Sequence, residues 1–199
     1  MIIKMASYIA HRWVLSHLIQ ADDEENYFYG VQLLLSSLFN FVIIICISIA
    51  LKMPWAWIPF MMAFVPLRLT AGGFHAKTHM VCITSFALVY FASLLLLSKV
   101  SEESRENLAV IIATLTLVAV YVFSPVEAAN KPLEPTQAKK YRQYSIALAA
   151  LFLIPATLTK AHILPFSASF IYFYAGEMGS ALSLLAAKLT HSHFLTSRN

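Results

Sequence analysis

A thiol and two imidazoles, His75, His79 and Cys82, sit close together in the stretch R-L-T-A-G-G-F-H-A-K-T-H-M-V-C, residues 68–82 of an otherwise apolar chain. Cysteine with histidine is the pairing of a nucleophile with its general base: the imidazole takes the thiol proton and the sulfur attacks a carbonyl. The same three residues follow H-x3-H-x2-C spacing, which on one continuous helix gives a shared face able to hold zinc. The two chemistries demand opposite backbones. Seven residues of helix separate the Cα atoms of His75 and Cys82 by about 10.5 Å, too far for a direct hydrogen bond. A dyad requires the chain to leave helical geometry between residues 75 and 82, with His75 folded back from a loop. A zinc site requires helix throughout, and spacing leaves both readings open.

The neighbours tip Cys82 from a packing role toward a functional one. Gly72 and Gly73 supply backbone freedom for a turn. Thr78 is a suitable N-cap, and a helix starting there places Cys82 in or near its first turn, where the positive end of the helix dipole favours a thiolate. Arg68 and Lys77 add positive potential. The second cysteine, Cys46, reads as a small apolar packing residue of a membrane helix.

The elements that must hold these residues are set by composition. Of 199 residues 59% are hydrophobic and 12% charged, with mean hydropathy +0.71. A soluble domain carries roughly twice that charged fraction, so this chain belongs in a bilayer. A formal charge of +4, scattered along the chain, argues against nucleic-acid binding, and two cysteines are too few for a disulfide framework. The first twenty residues contain Lys4 and Arg12 and no uninterrupted apolar core, unlike a cleavable signal peptide.

Crossing the hydrocarbon takes about 20 apolar residues as a helix. Residues 33–51, 55–67, 80–97, 108–123, 146–158 and 166–189 read as spans, the fifth containing Pro155. The second is short and carries Pro59 and Pro66, so a kinked or partly re-entrant segment is expected. Ahead of the first span, Ile2, Met5, Ile9 and Trp13 recur at helical spacing opposite Lys4, Ser7 and His11, the pattern of an amphipathic helix on the membrane surface. The expected architecture is all-α and integral to the membrane. An interfacial helix and acidic linker occupy residues 1–25, a bundle of about six spans residues 26–189, and a tail residues 190–199. With six spans, one side of the membrane collects ten lysines and arginines and the other four. That places both termini and the 68–82 stretch in the cytoplasm.

Several polar residues of this framework are chemical candidates. Gln32, at the cytoplasmic end of the first span, has an amide able to donate to an oxyanion, or simply faces headgroups. Glu177 lies inside the sixth span, where a carboxylate is costly and marks a functional candidate. Orienting a histidine, pairing with a cation, contacting peptide, and a structural hydrogen bond between helices eased by Gly176 and Gly179 are its open readings. The small residues of the same span also permit a homodimer. Basic residues at 139–142 set topology and attract anionic lipid.

In order and spacing, Arg68, Gly72-Gly73, His75-Ala76 and Cys82 resemble the AgrB family (accessory gene regulator protein B) of quorum-sensing peptide processors. The likeness extends to Y-F-Y-G-V-Q at 27–32, S-P-V-E-A-A-N-K-P-L at 124–133 and K-K-Y-R at 139–142, and so covers nearly the whole chain. The resemblance implies a cysteine endopeptidase of the bacterial cell membrane, working at its cytoplasmic face without metal or other cofactor. Its substrate would be an AgrD-like propeptide with an acidic tail. His75 and Cys82 stand at the family's catalytic positions, and Arg68 and Gly73 at positions associated with activity. Lys131, Lys139 and Lys140 match functionally important lysines, and with Lys77 and Glu177 they are the substrate-contact candidates. The reading from another class is a small transporter or metal-binding membrane protein using His75, His79 and Cys82.

Overall fold

The computed structural model describes residues 2–73, 78–126, 134–165 and 169–196, with the backbone alone for residues 79 and 191–196. Seven α-helices account for most of them: α1 (Ile2–Leu15), α2 (Glu24–Ala50), α3 (Trp57–Ala71), α4 (His79–Ser98), α5 (Glu102–Phe123), α6 (Pro135–Lys160) and α7 (Phe170–Thr196). No strand occurs among the described residues. By length and composition five helices, α2 and α4 to α7, suffice to cross a membrane. The expected second span is α3, whose 15 residues reach only about 22 Å. The chain is an all-α integral membrane protein.

Local chemistry explains where the elements begin. Asp22 and Asp23 lie in a 3-10 turn, and Glu24 and Glu25 open α2, their carboxylates at the positive end of its dipole. The acidic run is thus the start of the first long helix, not a separate linker. His11 Nδ1 lies 3.3 Å from Glu24 Oε1 and ties α1 to that start. On α1 the buried face is Ile2, Ala6 and Ala10, with Ile2 and Ala6 packed against Val31, Leu35 and Ile83. Met5, expected on that face, is 41% exposed, because the alanines give the closest approach to α2.

Pro59 falls in the first turn of α3, where no amide hydrogen is needed. The helix continues unbroken through Pro66 to Ala71. Its closest partner is α7. A Cβ on Gly176 would strike the Phe60 carbonyl, and Ser180 Oγ donates to the Phe64 carbonyl at 3.2 Å. Close backbone approach at small residues is how membrane helices gain packing energy. Gly176, one of the small residues of the sixth span, is here used for a contact within the chain.

Side-chain contacts fix the helix directions. Phe60 and Phe64 meet α7 near Gly176 and Ser180, so α3 and α7 run the same way. Tyr174 packs with Ala109 and Ala113, and Leu184 with Val120, so α5 is parallel to both. Against α4 the order reverses: Phe60 meets Tyr90 with ring centroids 4.7 Å apart, and Phe64 meets Phe86 at 4.9 Å. The C-termini of α3, α5 and α7 and the N-terminus of α4 consequently share one end of the bundle.

Candidate active site

The aromatic pairs define a ladder with a rung every four residues, 60 with 90 and 64 with 86. The next rung pairs Arg68 with Cys82, and the guanidinium is within electrostatic reach of that sulfur. Two candidates fourteen positions apart in sequence thus face each other across two antiparallel helices, where a thiol stands in place of a ring.

Thr78 shapes the α4 end. Its backbone is extended (φ −127°, ψ 144°), its hydroxyl accepts from the Val81 amide at 3.4 Å, and the Cys82 amide donates to its carbonyl at 3.2 Å. Cys82 lies in the first turn of α4, half-buried and free of any disulfide. The extended Thr78 interrupts the continuous helix that a shared zinc face from His75 to Cys82 would need. His75, Lys77 and Lys131 lie outside the described residues, as does the side chain of His79.

The α3 end closes on two glycines. Gly72 caps the helix at φ +78°, its amide donating to the Arg68 carbonyl at 3.2 Å. Such a left-handed C-terminal residue is favoured as glycine. The Val126 amide donates to the Ala71 carbonyl at 2.9 Å, forming an isolated bridge with Gly72, and a Cβ there would collide with the Val126 carbonyl. Two separate sequence motifs, G-G and S-P-V, are in this way locked together. At Gly73 (φ +144°) a Cβ would overlap the Arg68 guanidinium and the Ser183 hydroxyl. Arg68 Nη1 donates to Ser183 Oγ at 2.8 Å. The side chain of Arg68 is set by a helix 115 residues away and by the lack of one at Gly73.

The remaining candidates divide. Gln32 is half-buried on α2 beside Val31, which packs with Ile83, so it stands at the level of Cys82. Lys139 and Lys140 are exposed near the start of α6. Arg142 turns back onto α5, donating to the Tyr121 carbonyl at 3.1 Å with its guanidinium 5.7 Å from the Tyr121 ring. Glu177 is fully buried but is not brought to the Arg68–Cys82 rung, and among the described residues it makes no hydrogen bond between helices. Cys46 faces outward on α2 instead of packing in the core. Ser183 was not singled out from sequence. A serine in the run S-A-L-S-L-L has no spacing that distinguishes it from a small packing residue.

Against known proteins, the family model described as Accessory gene regulator B matches residues 2–186. The protein FsrB of Enterococcus faecalis is 24% identical over 157 residues, covering 76% of this chain and 65% of the relative. A putative AgrB-like protein of Clostridium beijerinckii is 29% identical over 110 residues, 53% of each chain. The chain thus spans less than two thirds of the length of either curated relative. No solved structure matches.

Proposed function

The chain belongs to the accessory gene regulator B family, and on that premise we propose that it is a cysteine endopeptidase that matures a quorum-sensing propeptide within the bacterial cell membrane. Cys82 is the nucleophile and His75 its base. His75 takes the thiol proton, and the sulfur adds to the scissile carbonyl of an AgrD-like precursor. The C–N bond then breaks, with the proton passing from His75 to the departing amine of the tail. A thioester remains on Cys82. The peptide's own cysteine or serine, deprotonated by His75, displaces Cys82 and closes a thiolactone or lactone ring, and the Cys82 sulfur recovers its proton. Exchange between thioesters keeps the acyl group activated, and exclusion of water at the bilayer edge suppresses hydrolysis.

The observation that carries this reading is the rung of Arg68 and Cys82 at the N-terminal turn of α4. A fixed cation and aligned helix amides supply positive potential where an oxyanion develops. Gln32, on the adjoining helix, is a second donor of suitable type. Exposed Lys139 and Lys140, with Lys77 and Lys131, suit an acidic tail. The competing metal reading predicts loss of activity with a chelator and equal dependence on His79 and His75.

The test is co-expression with a precursor bearing an amphipathic leader, a central Cys or Ser and an acidic tail, followed by mass spectrometry of the fragments. Cys82→Ala and His75→Ala should each abolish cleavage, while EDTA and His79→Ala leave it in place. Continued cleavage by Cys82→Ala would refute the proposal.

A further inference from the structure

Away from the Arg68–Cys82 rung, the interior of the bundle holds three fully buried polar side chains with no hydrogen-bond partner among the described residues: both oxygens of Glu177, the hydroxyl of Tyr174 and the hydroxyl of Thr116. Each is at most 1% exposed. They belong to one layer. Tyr174 and Glu177 are a turn apart on α7 and in electrostatic reach of each other, yet share no hydrogen bond. Thr116 lies on α5 between Ala113, which packs in one cluster with Tyr174, and Val120, which packs with Leu184. It therefore faces α7 at the level of Glu177. This layer is six residues before Ser183, about 9 Å deeper along α7.

An isolated buried carboxylate is strongly disfavoured, and it persists only with a compensating positive charge or a bound proton. Among the described residues neither a lysine nor an arginine is brought to this level, and Arg105 of α5, about three turns away, donates to the Val100 carbonyl. Arg68, the cation of α3, is bound to Ser183. Tyr90 of α4 is hydrogen-bonded to Ser48. On α5, Glu106 lies nearly three turns away and Tyr121 is exposed, while Lys139, Lys140, Tyr141, Arg142, Tyr144 and Lys160 of α6 all face outward. Tyr172, on α7 itself, donates to Met53 Sδ. What remains is a layer of hard oxygens, one carboxylate and two hydroxyls, without hydrogen-bond partners among the described residues.

We propose that Glu177, Tyr174 and Thr116 form an internal oxygen site that takes a small hard monovalent cation, either a proton carried with water or Na+. Such ions suit carboxylate and hydroxyl oxygens and need no nitrogen or sulfur ligand. The site is separate from the peptide chemistry, and its test does not depend on cleavage.

The full-length protein, purified in detergent, is treated with dicyclohexylcarbodiimide, which adds to a protonated carboxyl in an apolar setting, and the adduct is mapped by mass spectrometry. Glu177 should be labelled in Na+-free buffer and Glu177→Gln should not be. Loss of label with rising pH identifies the proton; loss with NaCl but not choline chloride at fixed pH identifies Na+. Thr116→Val and Tyr174→Phe, each checked for retained melting, should shift the half-labelling concentration of that ion by roughly fivefold, as expected for one lost hydrogen bond. Glu177 left unlabelled, or labelled equally at every pH and salt, would overturn the proposal. So would half-labelling points unmoved in both variants.

Discussion

At the scale of single residues, the candidate site is a cation and a thiol brought opposite each other by a four-residue rhythm on antiparallel helices. Arg68 donates to Ser183, so that bond can be tested independently of the thiol. Loss of a hydrogen bond to a charged group is worth roughly 1.5–3 kcal/mol. Ser183→Ala should therefore lower precursor cleavage by at least about tenfold, with Ser183→Thr partly restoring it. A Ser183 that merely fills space would instead tolerate alanine. Arg68→Lys should fall further, since a lysine keeps the charge but not the planar, multi-donor geometry of the guanidinium. The two cysteines provide a second check. Cys82 is half-buried at a helix start, whereas Cys46 looks outward from the last two turns of α2, inside its apolar run. In intact membranes a water-soluble iodoacetamide should modify Cys82 and spare Cys46, and equal labelling would contradict that placement.

At the scale of elements, the fold depends on how closely α3 can lie on α7. Gly176 is the contact point, with the Phe60 carbonyl where a side chain would begin. Gly176→Val should destabilise the protein by roughly 1–3 kcal/mol through overpacking, seen as a lower melting temperature in detergent. Gly30 is the control. Nothing lies within 4 Å of a Cβ built there, and glycine inside a helix is less stable than alanine by roughly 0.5–1 kcal/mol. Gly30→Ala should hold or raise the melting temperature. The same elements explain why α3 is stable although it is short and carries Pro66. Its flank is covered by α7, and its aromatic side chains reach α4, so little of its backbone irregularity meets lipid.

At the scale of the whole molecule, the end of the bundle carrying Arg68 and Cys82 also gathers the α1–α2 junction, the start of α6 with Lys139 and Lys140, and the later turns of α7. The excess of lysine and arginine in these segments argues that this end faces the cytoplasm. Single cysteines introduced near residue 4 and near residue 140, in a Cys46→Ser background, should be blocked only by membrane-permeant reagents in intact cells. One near Lys99, in the opposite loop, should be blocked by impermeant ones. Labelling of all three from outside would reverse the orientation and place the thiol on the wrong side for an intracellular precursor.

The membrane setting, the all-α class and the placing of Cys82 in a first helical turn were legible in sequence, because each is a local property: hydropathy over twenty residues and a helix cap. The N-cap at Thr78 follows from the same kind of signal. What required the folded chain was every relation across helices. The facing of Arg68 and Cys82, the bond from Ser183, the docking of Val126 on Gly72 and the seclusion of Glu177 with Tyr174 and Thr116 depend on register and helix direction. An apolar periodicity reveals neither, since lipid and protein both accept apolar faces. Only packing, through the close approach at Gly176 and the aromatic rungs, decided which face of each helix turned inward and so which polar groups meet.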